Sequence, residues 1–491
     1  MDDVALVIGA GIGGLITGAL LVKRGWRVII LEQSSRIGGC CGSFSRSGFT
    51  FDIGATLFPD ILWSGLDLVC RELGLELDRI FVDPFAQVCI PGHRIGLYRD
   101  AELTREEWSR EFPDERERIS GVLKSLHRIE ERVRQHHAGD IPGQFSAEMN
   151  KAHRRFQIAP MLWTAFRYPH RSARGMMHRA LRNGKVLPGF DLQTLFWGQT
   201  ECRESSLAYT AMVSGLHLNG GFCLRGGGIS LCNTLSQYIQ MHGGEIRFNS
   251  PVKEIMMRKR RAVGLQLATG EVLEGRCYIA NTVPWVLYER LLSEGFIRNR
   301  MIRMLSRVPS PHGVFTLFLG VKESCLPSQM GHKVFFLPPM VNEEEWIGPL
   351  FISLAPQEDE GRAPDKCRAM TVFHYTSTKG WYRGKEYRQN KEWMESRVLH
   401  TLKGLIPFLD EGICVHESAT PLTYEEFTGR PGGVVNGIPQ VHRVAANRAL
   451  SDTTCYRDLF MISDCTSPGL GVEGICQSSL KLVDRICKRY E

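Results

Sequence analysis

The 491-residue chain contains no run of 18 uncharged apolar residues, so no segment predicts a helix that spans a bilayer. Its start, Met1-Asp2-Asp3, lacks a basic region, and the apolar stretch that follows is broken by glycines, so no signal peptide is expected. The 15 cysteines are odd in number and scattered, with no CxxC pair and no His/Cys cluster at zinc spacing. That pattern argues against a disulfide frame and against a metal site, and for reduced thiols in the cytoplasm. The adjacent Cys40 and Cys41 bridge only with strain and read as small loop residues. No repeat or low-complexity tract interrupts the chain. Its length allows two domains, each with its own core.

One absence is local. Between Asn150 and Phe190 there is no Asp or Glu, while Lys151, Arg154, Arg155, Arg167, Arg171, Arg174, Arg179, Arg182 and Lys185 all fall there. These nine charges exceed the net charge of +7 carried by the whole chain. No nucleic-acid fold motif accompanies them, so nucleic acid is not an expected partner. Trp163, Phe156, Phe166 and Met176 are interleaved with the cations, which suits an anionic membrane surface. A solvated helical face with a buried opposite side is the other reading.

What is present begins at the N-terminus. The apolar run 4–8 leads into Gly9-Ala10-Gly11-Ile12-Gly13-Gly14, a helix-forming stretch and a second apolar run over 27–31, which ends at Glu32. Strand, glycine turn, helix, strand and acid in that order predict a dinucleotide fold. Its pyrophosphate would rest on a helix N-terminus and a ribose hydroxyl on the carboxylate. Gly9 permits the turn, Gly11 lets the backbone approach phosphate, and Gly14 lets the helix lie close to the sheet.

Downstream, charge-dense helices are expected over 100–137. A helix is expected over 229–241, then short strands over 245–248, 252–257, 262–268 and 277–280. Alternating segments from 312 to 376 predict a mostly antiparallel sheet in a second domain, followed by a charged helix over 386–405. A strand over 459–463 and a helix over 472–488 end the chain.

Four segments together carry a family resemblance. Arg36-Ile37-Gly38-Gly39, with Gly42 and 48–54, resembles the stretch beyond the first βαβ unit in the flavin amine oxidase and phytoene desaturase superfamily. The block 226–255 resembles that superfamily's adenine-side segment, and Ser463-Asp464 through Gly471-Val472-Glu473-Gly474 resembles its flavin-closing motif. The segment 419–437 is similar to the late motif of carotenoid desaturases, carotenoid cis-trans isomerases and retinol saturases.

The resemblance implies an α/β fold: a glutathione-reductase-like FAD-binding Rossmann domain with a second substrate domain of mixed sheet and helices. The FAD-binding part would comprise 1–65, 215–285 and 430–491. The substrate part would comprise 66–214 and 286–429, with 150–190 facing a membrane. Non-covalent FAD is implied, because no His or Cys sits in an attachment motif. Its contacts would be Gly9, Gly11, Gly13, Gly14, Glu32, Arg36, Gly38, Gly39, Val252, Asp464, Gly471 and Val472. Glu473 is the one candidate acid or base, with helix capping as its alternative role. His374, Tyr375, Trp381 and Tyr382 either line a tunnel or fill the core.

The activity implied is desaturation or cis-trans isomerisation of a long apolar polyene or isoprenoid, with a quinone or oxygen as possible electron acceptor. The protein would sit peripherally on a membrane from the cytoplasm. Two other readings stay open: a flavin amine oxidase, suggested by Gly471–Gly474, and a non-enzymatic prenyl-binding protein of the GDP-dissociation-inhibitor type.

Overall fold

The computed structural model describes residues 3–60, 64–138, 173–196, 220–293, 295–307, 312–340, 342, 346–438, 452, 454–466 and 471–491. The N-terminal apolar runs form strands Val4–Ile8 and Arg27–Leu31, two of the three inner members of a five-stranded parallel sheet. Glu245–Arg247 lies outside Arg27–Leu31, while Cys277–Ala280 and then Leu459–Met461 lie beyond Val4–Ile8. A parallel sheet buried on both faces explains why these strands read as continuous apolar runs.

Alternate side chains enter different cores. Ala5 and Val7 pack with Leu15 and Ala19 of the helix Ile12–Lys23, Leu235 of Gly228–Met241 and Leu482 of Gly471–Tyr490. Leu6 and Ile8 face the other way, onto Ile255 and Leu265 of a three-stranded antiparallel sheet, Val252–Arg258, Arg261–Leu267 and Val272–Leu273. The result is a layer of helices, the parallel sheet and a small antiparallel sheet.

The second large sheet has seven strands in the order Ile413–Ala419, Gly313–Lys322, Cys367–Thr376, Leu350–Leu354, Lys333–Phe336, Ala86–Ile90 and His93–Leu97. All its pairings are antiparallel except Lys333–Phe336 with Ala86–Ile90. The sheet expected from 312–376 is therefore present and mixed, and it recruits a hairpin from far earlier in the chain. The charged helix, Lys385–Lys403, buries Met394, Val398 and Leu402 against one face. Helices Ala101–Glu111 and Arg116–Ala138 occupy the charge-dense stretch.

The cation-rich segment is described only from 173 onward, so Lys151, Arg154, Arg155, Arg167 and Arg171 lie outside the described residues. In the helix Ala173–Ala180 and the turn after it, Met177 and Leu181 are buried while Arg179, Arg182 and Lys185 are exposed. Phe190, in Leu187–Phe196, stacks on buried Trp108 at 4.6 Å. This portion has the arrangement of a solvated face over a buried one. Among the described residues no helix is long and apolar enough to cross a membrane.

Candidate active site

The first strand ends in a turn that only glycine fits. Gly9 has φ 95°, and a Cβ at Gly14 would lie 2.1 Å from the Gly9 carbonyl oxygen. The helix therefore begins hard against the turn, with Gly11 as its N-cap. Asn281, at the end of the parallel strand Cys277–Ala280, fills the space beside it. A Cβ at Gly11 would meet Asn281 Oδ1 at 2.8 Å, and one at Gly13 would meet its Nδ2 at 2.7 Å. Asn281 Nδ2 also donates to the Ile462 carbonyl at 2.9 Å, which ties the turn to the last strand.

Glu32 stands at the end of the second strand. Its carboxylate accepts from the Ala10 amide at 2.7 Å and from the Ser34 amide at 2.9 Å. The acid thus clamps the glycine turn as well as facing the cavity in front of it. Asp464, which also lines the cavity, pairs with Arg430 at 2.8 Å. Burial works against the Arg430 charge, but the adjoining Asp464 carboxylate holds the guanidinium above its ordinary value.

These groups wall a cavity of about 460 Å³, within the size range of small-molecule and cofactor sites. Gly9, Gly11, Gly13, Glu32, Gly38, Gly39, Val252, Asp464, Gly471, Val472 and Glu473 all line it. Two expected contacts do not. Gly14 serves the turn, and Arg36 is exposed on the loop after the second strand, where its amide and carbonyl bond the Ser34 hydroxyl. The cavity is also met by the N-termini of two helices, Ile12–Lys23 and Gly471–Tyr490. Exposed amides at both places suit an elongated anionic group. The glycine cradle, the acid and the second helix N-terminus, all on one cavity, fit a flavin dinucleotide.

Glu473 is buried, and its two oxygens are engaged. They accept from Ser64 Oγ at 2.9 Å, the Leu66 amide at 3.3 Å, Gln477 Nε2 at 3.0 Å and the Gly65 amide. Glu473 thus closes the N-terminus of the helix Gly65–Leu73. Burial pushes its carboxyl up, and these four donors pull against that.

The floor at the far end comes from the seven-stranded sheet. Thr371, Phe373 and Tyr375 line the cavity from one strand, and Val314 and Thr316 from its neighbour. Period-two alternation sends His374 to the opposite face, where it bonds the Pro349 carbonyl at 3.1 Å and burial lowers its pKa. Trp381 is in the core beneath the sheet and Tyr382 is 71% exposed. Of the four aromatic candidates, Tyr375 alone reaches the cavity. Tyr424 joins it there, donating to the Ile53 carbonyl at 3.1 Å and sharing a 2.9 Å hydrogen bond with Thr316.

The sequence reading passed over Asn281 and Arg430 as site residues. Arg430 sits inside the quoted segment 419–437, so the signal was a buried cation in a glycine-rich loop. Asn281 had no local signal: it matters because its strand ends beside the glycine turn.

The profile of the flavin containing amine oxidoreductase family matches residues 12–420. Prolycopene isomerase from the chloroplast of Arabidopsis thaliana is 25% identical, over 98% of this chain and 82% of its own length. Phytoene desaturase (neurosporene-forming) from Cereibacter sphaeroides is 24% identical, over 97% of this chain and 93% of its own. Among solved structures, putrescine oxidase bound to putrescine superposes with a TM-score of 0.67 at 13% identity, covering all of both chains. At that identity the likeness is one of fold. The family match makes the chain an oxidoreductase enzyme, which removes the non-enzymatic prenyl-binding reading. The chain belongs to the flavin containing amine oxidoreductase family, and the relatives it is similar to there include carotenoid desaturases, carotenoid isomerases and a retinol reductase.

Proposed function

We propose that this protein binds FAD non-covalently and acts on a long apolar polyene of the carotenoid class, by dehydrogenation or by redox-neutral cis-trans isomerisation. The observation that carries the reading is the state of the cavity's carboxylates. Glu32 is engaged by the turn, Asp464 by Arg430 and Glu473 by a helix cap. The far wall is built from Phe196, Phe373, Tyr375, Val314 and Ile438. Among the described residues no carboxylate of that lining is left uncommitted to receive an ammonium group, whereas a hydrocarbon gains from every apolar contact there.

The domain division of the sequence reading goes with this proposal. The parts 1–65, 215–285 and 430–491 hold the dinucleotide, and 66–214 with 286–429 hold the substrate. Gly11, Gly13 and the first helix N-terminus take the pyrophosphate, Glu32 the ribose, and the backbone near Val252 the adenine. Gly471 and Val472 direct amides at the flavin ring. The cofactor supplies hydride acceptance and return; the protein's part is to hold the polyene against it and exclude water. Glu473 acts here as a positioning residue. Quinone or oxygen is the acceptor for dehydrogenation, and a membrane is the reservoir of substrate.

An anaerobic assay with carotene in liposomes tests the proposal through the flavin absorbance. Bleaching by carotene alone, with a product two mass units lighter, identifies dehydrogenation. Turnover only after chemical pre-reduction, at constant product mass, identifies isomerisation. If neither occurs with any polyene and an amine bleaches the flavin, the amine oxidase reading replaces this one. A colourless protein that stays colourless after incubation with FAD overturns the cofactor assignment.

A further inference from the structure

Behind the main cavity is a smaller one, about 20 Å³, whose walls include Lys333, Ser353, Cys223 and Arg362. Ala55, Thr56, Phe58 and Thr371 line both spaces. Lys333 is 2% exposed and sits on an inner strand of the seven-stranded sheet. Among the described residues its ammonium nitrogen makes no hydrogen bond and no ion pair. The neighbouring cation differs: Arg362 bonds Asp52 at 2.9 Å and Asp359 at 3.4 Å. A buried lysine without a partner is costly unless it sheds its proton or reaches a solvating group.

Register shows where Lys333 leads. It lies directly opposite Ser353, and Ser353 lies directly opposite Thr371. The three therefore form one cross-strand row on one face of the sheet, with strands about 4.8 Å apart. Thr371 belongs to the face that floors the main cavity. Ser353 Oγ also hydrogen-bonds Thr56 Oγ1 at 3.0 Å, and Thr56 stands in the shared wall. The Ser353 and Thr56 hydroxyls thus lead from the small cavity, which Lys333 lines, to the place where substrate would lie.

We propose that Lys333 exchanges a proton with the main cavity through Ser353 and Thr56. The proposal rests on the flavin-and-polyene reading above. Removing two hydrogens from adjacent carbons breaks two C–H bonds and forms one C=C bond. One hydrogen leaves with its electron pair to the bound flavin. The other leaves as a proton, and the three carboxylates that line the cavity among the described residues are already engaged. In its unprotonated form Lys333 takes that proton by way of the small cavity and the hydroxyls, and becomes the ammonium.

The electrostatic setting agrees. Burial lowers the Lys333 pKa, Cys223 and Asp52 oppose that, and Arg362 and Arg368 add to it. Asp359 also faces the small cavity, with its own carboxyl raised by burial. His332, next in sequence, is lowered to about 4, so it carries no charge near neutral pH.

The test uses the flavin-loaded wild type with Lys333→Met and Lys333→Arg, the second keeping a charge that does not dissociate. Two quantities are read: the pH dependence of the bound flavin's reduction potential, and the titration of 13Cε-labelled lysines by NMR. The expected result is one lysine signal titrating below all others and missing from both variants. The wild type should also take up more protons per two electrons than either variant, over that same pH window. Ser353→Ala should keep the low-titrating lysine while slowing turnover on the order of 100-fold. Equal proton uptake in all three proteins, or a wild-type spectrum whose lysines all titrate together, overturns the proposal while leaving the cofactor reading intact. Absence of flavin absorbance after loading removes that reading, and the proposal with it; the two failures are therefore distinct. Should neither Lys333 variant fold, the wild-type spectrum and Ser353→Ala still decide.

Discussion

At the scale of the residue, two glycines separate a steric role from a conformational one. A methyl at position 14 would press on the Gly9 carbonyl at 2.1 Å, while one at position 74 meets nothing within 4 Å. Gly14→Ala is expected to open the turn, cost about 1–3 kcal/mol and abolish flavin retention. Gly74→Ala, at φ 68°, should cost only about 1 kcal/mol of left-handed strain and leave the absorbance unchanged. Thermal unfolding and the visible spectrum measure both. Glu473 gives a pH-dependent case. Its folded carboxyl is held above the ordinary value, so its stabilising contribution is complete at pH values below that ordinary value and is lost as pH rises through the folded one. Urea unfolding of Glu473→Gln against the wild type should therefore move in the variant's favour as pH climbs from the acid side, then level off. A flat difference across that range would refute the assignment.

At the scale of the element, what was legible depended on how far a strand's partners lie along the chain. Strands 4–8 and 27–31 were readable because both faces are buried, one on Leu15 and Leu235 and the other on Ile255 and Leu265. The strand Ala86–Ile90 was not, since its sheet partner Lys333–Phe336 lies far downstream and nothing local marks the pairing. The same distance hid Lys333, a residue type rarely buried, at an inner-strand position. Tyr375 was singled out together with His374, although alternation along one strand puts them on opposite faces. The loop that carries Arg430 offers a further prediction. Removing one member of a buried ion pair strands the other, so Arg430→Met should cost about 3–5 kcal/mol. It should also loosen the flavin, because the released carboxylate at Asp464 lines its cavity. Denaturant midpoints and cofactor content after gel filtration check the two effects.

At the scale of the whole molecule, the exposed cations Arg179, Arg182 and Lys185 bear on where the protein works. If they face lipid, replacing all three with Gln should reduce co-sedimentation with anionic liposomes by about 1 kcal/mol per charge, less at high salt. The flavin spectrum should be unaffected. Unchanged sedimentation would leave them as an ordinary solvated surface. A consequence of another kind follows from the parallel sheet, whose outermost strand Leu459–Met461 and covering helix Gly471–Tyr490 come last. A ribosome that has just made Ala280 has synthesised four of the five strands, but the edge awaiting Leu459–Met461 stays bare until those residues emerge. The first helix likewise lacks the cover of the closing one. At about 5–20 residues per second that state lasts on the order of 10–40 s. A nascent chain stalled before Leu459 should therefore stay bound to a chaperone that recognises apolar segments, and synthesis of the remaining residues should release it.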